Sequence, residues 1–382
     1  MSFGMLYLAN FLFSFHFFFT IFYNSNFLGT RGILEGSVGF LYIAGSLATL
    51  LGMFTLSSLL RRFGNYRVML ALIAIELLVF LTLALASSLL PIVVAFILYL
   101  SLSSLIILCA DIFLESTIKD EGATGSIRGA FLTTTNIALV GAPLIAGFFL
   151  ERSSFEFLYL IAAGILVPFF IIIAWRFKDF TDPPYRRPRI MDALRTMQRV
   201  PDIMNIYLAH LFMRIFFSIM AIYMPLYLYR TIGFSLSELG IMFSIMLLPF
   251  ALFEFPLGKI ADRYLGEKEI LIVGFIILAA STASLSFITS ASLAVWAGLL
   301  FVTRTGASAI EIATESYFFK HVNGKDTAQI SMFRATRPFS DIIGPTIGSV
   351  SLLFIDLRFL FLVLGIFLLL GITVASRIND TR

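Results

Sequence analysis

Charged residues are scarce in this sequence. They make up 13% of its 382 residues, whereas a soluble globular domain carries about 25%. Cysteine is scarcer still, since the chain has only Cys109, which lies in an apolar run and excludes an intrachain disulfide. The shortage of charge, together with the length of the apolar runs, excludes an ordinary soluble domain.

Several chemical signatures are also missing. The sequence has no G-x-x-x-x-G-K-[S/T] loop, which argues against a nucleotide-driven pump. Its His, Asp and Glu residues have no metal-ligand spacing, and no nucleophile lies beside a base near a membrane face. We therefore expect no enzyme activity, no metal and no cofactor. The net charge of +4 does not indicate nucleic-acid binding, because the basic residues are concentrated in particular loops.

Apolar residues make up 59% of the chain, and the mean hydropathy is +0.96. Runs of roughly 20 apolar residues recur, each long enough to cross a hydrocarbon layer about 30 Å thick. They lack the alternation of membrane strands and so predict helices. The predicted spans are Phe3–Tyr23, Ser37–Leu60, Val68–Ser87, Ile92–Glu115, Ile127–Leu150, Phe157–Phe177, Ile203–Tyr229, Leu239–Leu257, Ile270–Thr289, Ser292–Phe319, Gln329–Phe354 and Phe359–Ser376. We interpret the first as a retained helix, because it lacks a basic start and a cleavage site.

Lysine and arginine are distributed unevenly between the loops. One alternate set of loops, with the flanking Arg176 and the C-terminal tail, holds 19 of the 27, and the other set holds four. By the positive-inside rule the first set is cytoplasmic, which places both termini in the cytoplasm. We expect a multi-pass protein of the cell inner (plasma) membrane.

The interval between the sixth and seventh spans marks a domain boundary. It contains Pro183, Pro184 and Pro188, which break helices, and then IMDALRTMQRV, which is typical of a basic amphipathic helix at a membrane surface. The sequence predicts an N-terminal six-helix bundle over residues 1–177, a cytoplasmic linker with this short helix over 178–202, and a C-terminal six-helix bundle over 203–382.

Polar and glycine positions of the first half recur about 200 residues later. The matched pairs are Arg61 with Arg263, Gly64 with Gly266, Asp111 with Glu311, and Glu115 with Glu315. Parallel repeats of this kind are a transporter architecture with the substrate site between the halves. The predicted fold class is therefore an all-α integral membrane protein whose twelve transmembrane helices form two pseudo-symmetric bundles.

Three segments carry a family resemblance. PLGKIADRYLGEKEIL resembles the G-x-x-x-D-R-x-G-R-K loop motif of the major facilitator superfamily, and it lies between spans eight and nine, where that family has its second-half copy. The first-half copy, LSSLLRRFGNYRV, has Leu56 and Leu60 in place of Gly and Asp. LFVTRTGASA and GAPLIAG resemble motifs of drug–proton antiporters, although the family's arginine motif belongs to span four and GAPLIAG splits its Gly-Pro pair. The resemblance implies alternating access around a cavity lined by spans 1, 4, 7 and 10.

The same resemblance implies a cytoplasmic gate. Its candidate residues are Arg61, Arg62, Gly64, Glu115, Arg128, Gly258, Asp262, Arg263, Gly266, Glu315, Arg334 and Arg337. The expected pairs are Asp262 with Arg128, Arg263 with Glu315, and Arg61 or Arg62 with Glu115.

Charged residues within the spans are candidates for a substrate site, because a mid-membrane charge costs about 2.5–3.5 kcal/mol on insertion scales. The candidates are His16, His210, Arg214 and Arg304. His210 and Arg214 lie one helical turn apart and share a face. Arg214 could instead bond a neighbouring helix, and His16 could be a packing residue. For Glu76 the sequence suggests no role beyond a buried hydrogen bond.

Spans ten and eleven carry opposite charges at matched depth when folded about Asn323. The predicted pairs are Arg304 with Asp341, and Glu311 with Arg334 and Arg337. These groups form either a static ion-pair seam or a network that takes up and releases protons during transport. In the second case Asp341 is the expected proton-coupling residue, with Glu311 in reserve.

The sequence predicts a secondary active transporter that moves a small organic solute by alternating access. The first expectation is proton-coupled export of an amphipathic compound, by a monomer whose partners are solute, protons and lipid bilayer. The alternatives are a proton-coupled symporter for a carboxylate or sugar-like solute, and a non-transporting scaffold or sensor. The sequence does not identify the solute or the coupling ion.

Overall fold

The computed structural model describes residues 3–117, 124–183, 185, 200–260, 265–322 and 327–379. Within these ranges the regular elements are helices and no strand is present. The α-helices are α1 (Phe3–Ile21), α2 (Asn24–Thr30), α3 (Glu35–Leu85), α4 (Leu89–Thr117), α5 (Thr124–Arg152), α6 (Phe155–Arg176), α7 (Pro201–Leu226), α8 (Leu236–Ile260), α9 (Glu267–Ser284), α10 (Leu293–His321), α11 (Thr327–Arg334), α12 (Thr336–Ser351) and α13 (Leu357–Ser376). A π-helical turn, Tyr227–Ile232, follows α7, and a 3₁₀ turn, Leu285–Phe287, follows α9.

Ten of the described helices are long and apolar enough to cross a membrane. The range α3 consists of two helical segments, which correspond to the predicted second and third spans and meet at a kink at Gly64, where φ and ψ are non-helical. The predicted eleventh span is divided into the short helices α11 and α12 around Ala335. With the two halves of α3 and the α11–α12 pair counted as spans, the predicted all-α architecture of a multi-pass membrane protein is confirmed.

The chain divides into two compact units. The N-terminal unit comprises Met1–Arg187 with Ser235–Gly240, and the C-terminal unit comprises Pro188–Phe234 with Ile241–Arg382. The predicted amphipathic helix of the linker lies outside the described residues.

The N-terminal unit is built around α1 and α3. Helix α1 packs on α5 and α6, and α3 packs on α4 and α6. The ring of Phe80 contacts the rings of Tyr99 and Tyr159, and all three residues are fully buried. Many apolar side chains face outward instead, such as Trp175, which is 76% exposed. Outward apolar surface is expected where lipid rather than water surrounds the helices.

In the C-terminal unit, α9 packs on α10 and α13, while α7 packs on α10, α12 and α13. Small residues permit the closest approaches, as at Gly306 of α10, which lies against the backbone of Gly274 and Leu278 in α9. Trp296 is fully buried at the start of α10, and its indole N–H donates to the Ser290 carbonyl oxygen over 2.8 Å.

Two glycines that the repeat pairs with one another adopt the same backbone conformation. Gly64 interrupts α3 with φ 77° and ψ 159°, and Gly266 precedes α9 with φ 80° and ψ 171°. Only glycine adopts this region readily. The two positions, which the sequence repeat matches, therefore have equivalent backbone conformations.

A carboxylate from beyond α6 stabilises the bend at Gly64. Asp182 Oδ1 accepts the backbone N–H of Asn65 over 2.7 Å, and Tyr185 donates its hydroxyl to the same carboxylate. Burial and the Asp182 carboxylate raise the pKa of Tyr185. Asp182 thus caps the second half of α3, where a negative charge also interacts favourably with the helix dipole.

Gly64→Ala is expected to lower the stability of the N-terminal unit by about 1–3 kcal/mol, because alanine disfavours this φ and ψ. Its Cβ would also lie 2.3 Å from the Asp182 carboxylate. Thermal unfolding of the purified protein measures the loss. Gly36→Ala in the first turn of α3 is the matched control, since a Cβ there meets nothing within 4 Å. Equal melting temperatures for the two variants would contradict the expectation.

Candidate functional site

His210 and Arg214 lie one turn apart on α7, and His210 is 2% exposed. The His210 ring stacks on Phe333 with centroids 4.3 Å apart. Its Nδ1 lies 2.9 Å from Thr336 Oγ1, and its Nε2 accepts from Arg214 Nε over 3.4 Å. Because Thr336 donates its own proton to the Phe333 carbonyl oxygen, it accepts from His210 Nδ1. The imidazole is therefore fixed as the Nδ1–H tautomer, with Nε2 toward Arg214.

Two glutamates of α10, Glu311 and Glu315, form ion pairs with arginines of neighbouring helices. Arg214 Nη2 donates to Glu311 Oε1 over 3.0 Å, and the two side chains are 24% and 23% exposed. One turn further along α10, Glu315 Oε1 accepts from Arg334 Nη1 of α11 over 2.9 Å in a more exposed position. Partial exposure to solvent weakens the electrostatic attraction within both ion pairs.

Arg304 of α10 is only 3% exposed. Its guanidinium lies over the rings of Phe216 and Phe217, 4.8 and 5.0 Å from their centroids. Its Nε and Nη1 have no hydrogen-bond partner among the described residues. The carboxylate of Glu311 interacts electrostatically with its positive charge. A buried guanidinium with two unpaired N–H donors is suited to bind a carboxylate or another strong acceptor.

Asp341 lies part-buried on α12. Its carboxylate accepts a hydrogen bond from Ser218 of α7, and both Arg337 and Arg214 act on its charge. Arg214 therefore influences Asp341 as well as Glu311, so a shift of one guanidinium changes the electrostatic environment of two carboxylates. We call His210, Arg214, Arg304, Glu311 and Asp341 the charged network.

The observed partners differ from those predicted by depth along the hairpin. Glu311 forms its direct ion pair with Arg214, and Arg334 forms one with Glu315. The prediction considered α10 and the α11–α12 span alone. It omitted α7, which packs against α10 and α12 and contributes the shared arginine.

His16 of α1, a candidate substrate-cavity residue, contacts α3 and α6. It is fully buried in the N-terminal unit, with Nε2 3.6 Å from Glu76 Oε1 of α3. Glu76 is also fully buried and accepts a hydrogen bond from Ser103 of α4. Glu76 thus has the buried hydrogen bond that the sequence suggested, together with a histidine neighbour that it did not.

The structure describes some of the expected gate residues but not the side chains of both members of any expected pair. Asp262, Arg263 and the side chains of Glu115 and Arg128 lie outside the described residues, so their pairs remain predictions. The other gate residues on these loops are described. Arg61 donates to Ser58 over 3.2 Å, Arg62 lies 5.1 Å from the Phe63 ring centroid, and Gly258 lies in the last turn of α8.

Sequence reasoning missed the aromatic residues of the site. Phe217 lies three residues after Arg214, a spacing that puts both on one helix face and could have revealed it. The contribution of Asp182 had no such signal, since it is 118 positions from Gly64 along the chain. Among the described residues, no group of His, Cys, Asp and Glu side chains has an arrangement that could hold a metal ion.

Several solved structures have a fold similar to that of this chain. Two structures of a bacterial homolog to the human lysosomal transporter Spinster, one inward-facing and occupied and the other inward-facing and unoccupied, each have a TM-score of 0.76. They share 13% and 12% identity and cover 99% and 98% of this chain, which covers 96% and 95% of theirs. The nucleoside transporter NupG, in a mutant form, has a TM-score of 0.77 at 13% identity, with 98% of each chain covered. Likeness at this identity shows a shared fold.

No curated protein sequence matches the chain significantly. The family model of the Major Facilitator Superfamily matches residues 6–205 and 206–380. These two segments take in nearly the whole chain, and the structural neighbours have the same fold. The chain therefore belongs to the major facilitator superfamily.

Proposed function

We propose that this chain is a secondary active transporter that carries a small organic acid together with protons by alternating access. The buried guanidinium of Arg304 carries the proposal, because its Nε and Nη1 have no partner among the described residues. An acidic group on the solute would supply the missing acceptors. The rings of Phe216 and Phe217 would pack on an apolar part of the solute.

Proton coupling is supported by the sharing of Arg214 between Glu311 and Asp341. A solute carboxylate that competes for this arginine removes a counter-charge from both side chains. A carboxylate that loses its counter-charge in a buried site binds a proton more readily. Solute and proton then bind together, which is the requirement for symport.

A second candidate function is export of an amphipathic compound in exchange for protons. The aromatic rings around Arg304 favour it, because they suit an apolar solute as well as an organic acid. In exchange, solute and proton compete for the network. The two candidates therefore predict opposite responses to an imposed proton gradient.

Flux measurements in proteoliposomes test the proposal. The panel contains labelled monocarboxylates, dicarboxylates, sugars and amphipathic cations, each with and without an inward proton gradient. Accumulation of an acid that requires the gradient supports symport, whereas gradient-driven efflux of an amphipathic compound supports the second candidate. A flat response across the panel would instead indicate a scaffold or sensor and overturn both.

Asp341→Asn is expected to abolish gradient-driven accumulation while leaving solute exchange intact. Asparagine keeps the shape and can still accept from Ser218, but it cannot take up a proton. Accumulation and counterflow assays in proteoliposomes separate the two activities. Asp356→Asn, an exposed position directly before α13, is the matched control. Wild-type accumulation by Asp341→Asn would remove this residue from the coupling mechanism.

We also propose that the protein lies in the cell inner (plasma) membrane as a monomer, with both termini in the cytoplasm. The concentration of 19 of the 27 lysines and arginines in one set of loops and the tail supports this orientation.

A further inference from the structure

His16 of α1 and Glu76 of α3 meet inside the N-terminal unit, where both side chains are 0% exposed. The rings of Phe13 and Phe80 lie 5.9 and 4.3 Å from the imidazole, between centroids. Neither residue belongs to the charged network. Side chains enclosed in this way cannot form hydrogen bonds with water. The protons that the pair carries must therefore match the hydrogen-bond donors and acceptors of the protein groups around it.

One contact fixes the tautomer of His16. Its Nδ1 lies 2.8 Å from the Ala162 carbonyl oxygen of α6. A carbonyl oxygen can only accept, so Nδ1 carries a proton and donates it. In a neutral imidazole the proton is then absent from Nε2, the atom that faces Glu76.

The carboxylate of Glu76 supplies hydrogen-bond acceptors next to His16 Nε2. Oε1 lies 3.6 Å from His16 Nε2 and accepts from Ser103, while Oε2 has no partner among the described residues. An ionised carboxylate beside an unprotonated Nε2 would place two hydrogen-bond acceptors next to each other with no proton between them. It would also leave a net negative charge in an interior without water. One proton added to the pair removes both problems, because it gives either an imidazolium with a carboxylate or an imidazole with a carboxylic acid.

The surroundings offer no other counter-charge among the described residues. Tyr99 of α4 and Tyr159 of α6 are the titratable groups that border the cluster, each in ring contact with Phe80. From α5, Thr134 and Thr135 face α1 and accept from Asn10. The described ion-pair partner of Glu76 is His16 alone.

We infer that His16 and Glu76 hold one shared proton and so form a proton-binding site within the N-terminal unit. The proton belongs to the pair rather than to either residue. A sodium ion fits this site less well, because hard cations prefer several oxygen ligands and here an imidazole nitrogen occupies one side. The inference concerns proton occupancy and does not rest on the proposed transport activity.

Nuclear magnetic resonance of the full chain in lipid nanodiscs can count the protons on His16. The chain has three histidines, so selective ¹⁵N-histidine labelling yields three pairs of ring signals, one Nδ1 and one Nε2 signal for each residue. His16→Asn identifies the His16 pair of signals by its loss. If that variant does not fold, the pair that persists in both His210→Asn and His321→Asn gives the same assignment. The ¹⁵N shifts at neutral pH then report one or two protons on the ring.

Infrared difference spectroscopy counts the proton on Glu76 under the same conditions. The spectrum of Glu76→Gln is subtracted from that of the wild type, and a carboxylic-acid carbonyl band marks a protonated Glu76. Glutamine can still accept from Ser103, and its amide can donate to His16 Nε2, so we expect this variant to fold. Glu76→Asp, which shifts the band instead of removing it, serves if glutamine is not tolerated.

The two measurements together decide the proton count. A doubly protonated His16 without the acid band, or a singly protonated His16 with the band, supports one shared proton. A singly protonated His16 without the band means no shared proton and overturns the inference, as does a doubly protonated His16 with the band. A sodium-dependent change in either signal at constant pH would also overturn it, in favour of a cation site.

Discussion

Arg304→Gln is expected to raise the apparent KM for a transported organic acid by about 10-fold to about 100-fold. A hydrogen bond to a charged group contributes about 1.5–3 kcal/mol, and each 1.4 kcal/mol corresponds to roughly a factor of ten in affinity. Glutamine retains a polar amide next to Phe216 and Phe217 but supplies no charge. Initial rates of uptake over a range of solute concentrations in proteoliposomes measure the effect.

Arg377→Gln is the matched control, because this exposed arginine directly follows α13. Its removal changes the net charge equally and is expected to leave the apparent KM unchanged. Uptake of neutral solutes, where detectable, should be less affected by Arg304→Gln than uptake of acids. A wild-type KM for acids in Arg304→Gln would refute the anion-binding role of this residue, whatever the energy source of transport.

Gly306→Val is expected to destabilise the C-terminal unit by about 3 kcal/mol or more, at the upper end of overpacking effects. A Cβ at this position would lie 2.7 Å from the backbone nitrogen of Leu278 and 2.8 Å from the carbonyl oxygen of Gly274. Both atoms belong to the backbone of α9 and cannot rotate away as the end of a side chain can. Helices α9 and α10 must therefore separate to accommodate valine.

Gly298→Val provides the control within the same helix. Gly298 is exposed, and a Cβ there meets nothing within 4 Å. The two variants add the same side chain to α10, so a difference in thermal unfolding isolates the contact with α9. If both variants unfold at the wild-type temperature, the close packing of α9 on α10 is not a source of stability.

Much of the architecture could be predicted because it depends on local pattern. Apolar runs define the spans, since each must satisfy its backbone hydrogen bonds within a helix. The equivalence of Gly64 and Gly266 was also visible in the repeat, and both residues have the same φ and ψ. The predicted division between the second and third spans corresponds to Gly64, whose non-helical φ and ψ separate the two helical segments of α3.

The contacts among the candidate site residues could be predicted within one helix but not between helices. Helical spacing correctly grouped His210 with Arg214, because such faces follow from one helix alone. The ion pair between Arg214 and Glu311 depends on how α7 packs against α10, which sequence distance does not show. The meeting of His16 with Glu76 and the cap that Asp182 gives to α3 are likewise consequences of tertiary packing.

The two tryptophans lie in different units and differ in exposure, so their intrinsic fluorescence reports on each unit separately. Trp175 lies in the N-terminal unit with its side chain outward, and Trp296 lies fully enclosed in the C-terminal unit. Brominated lipids would quench the fluorescence of the first and spare the second while that unit is folded. A Trp175→Phe protein would then signal unfolding of the C-terminal unit alone, without any attached dye.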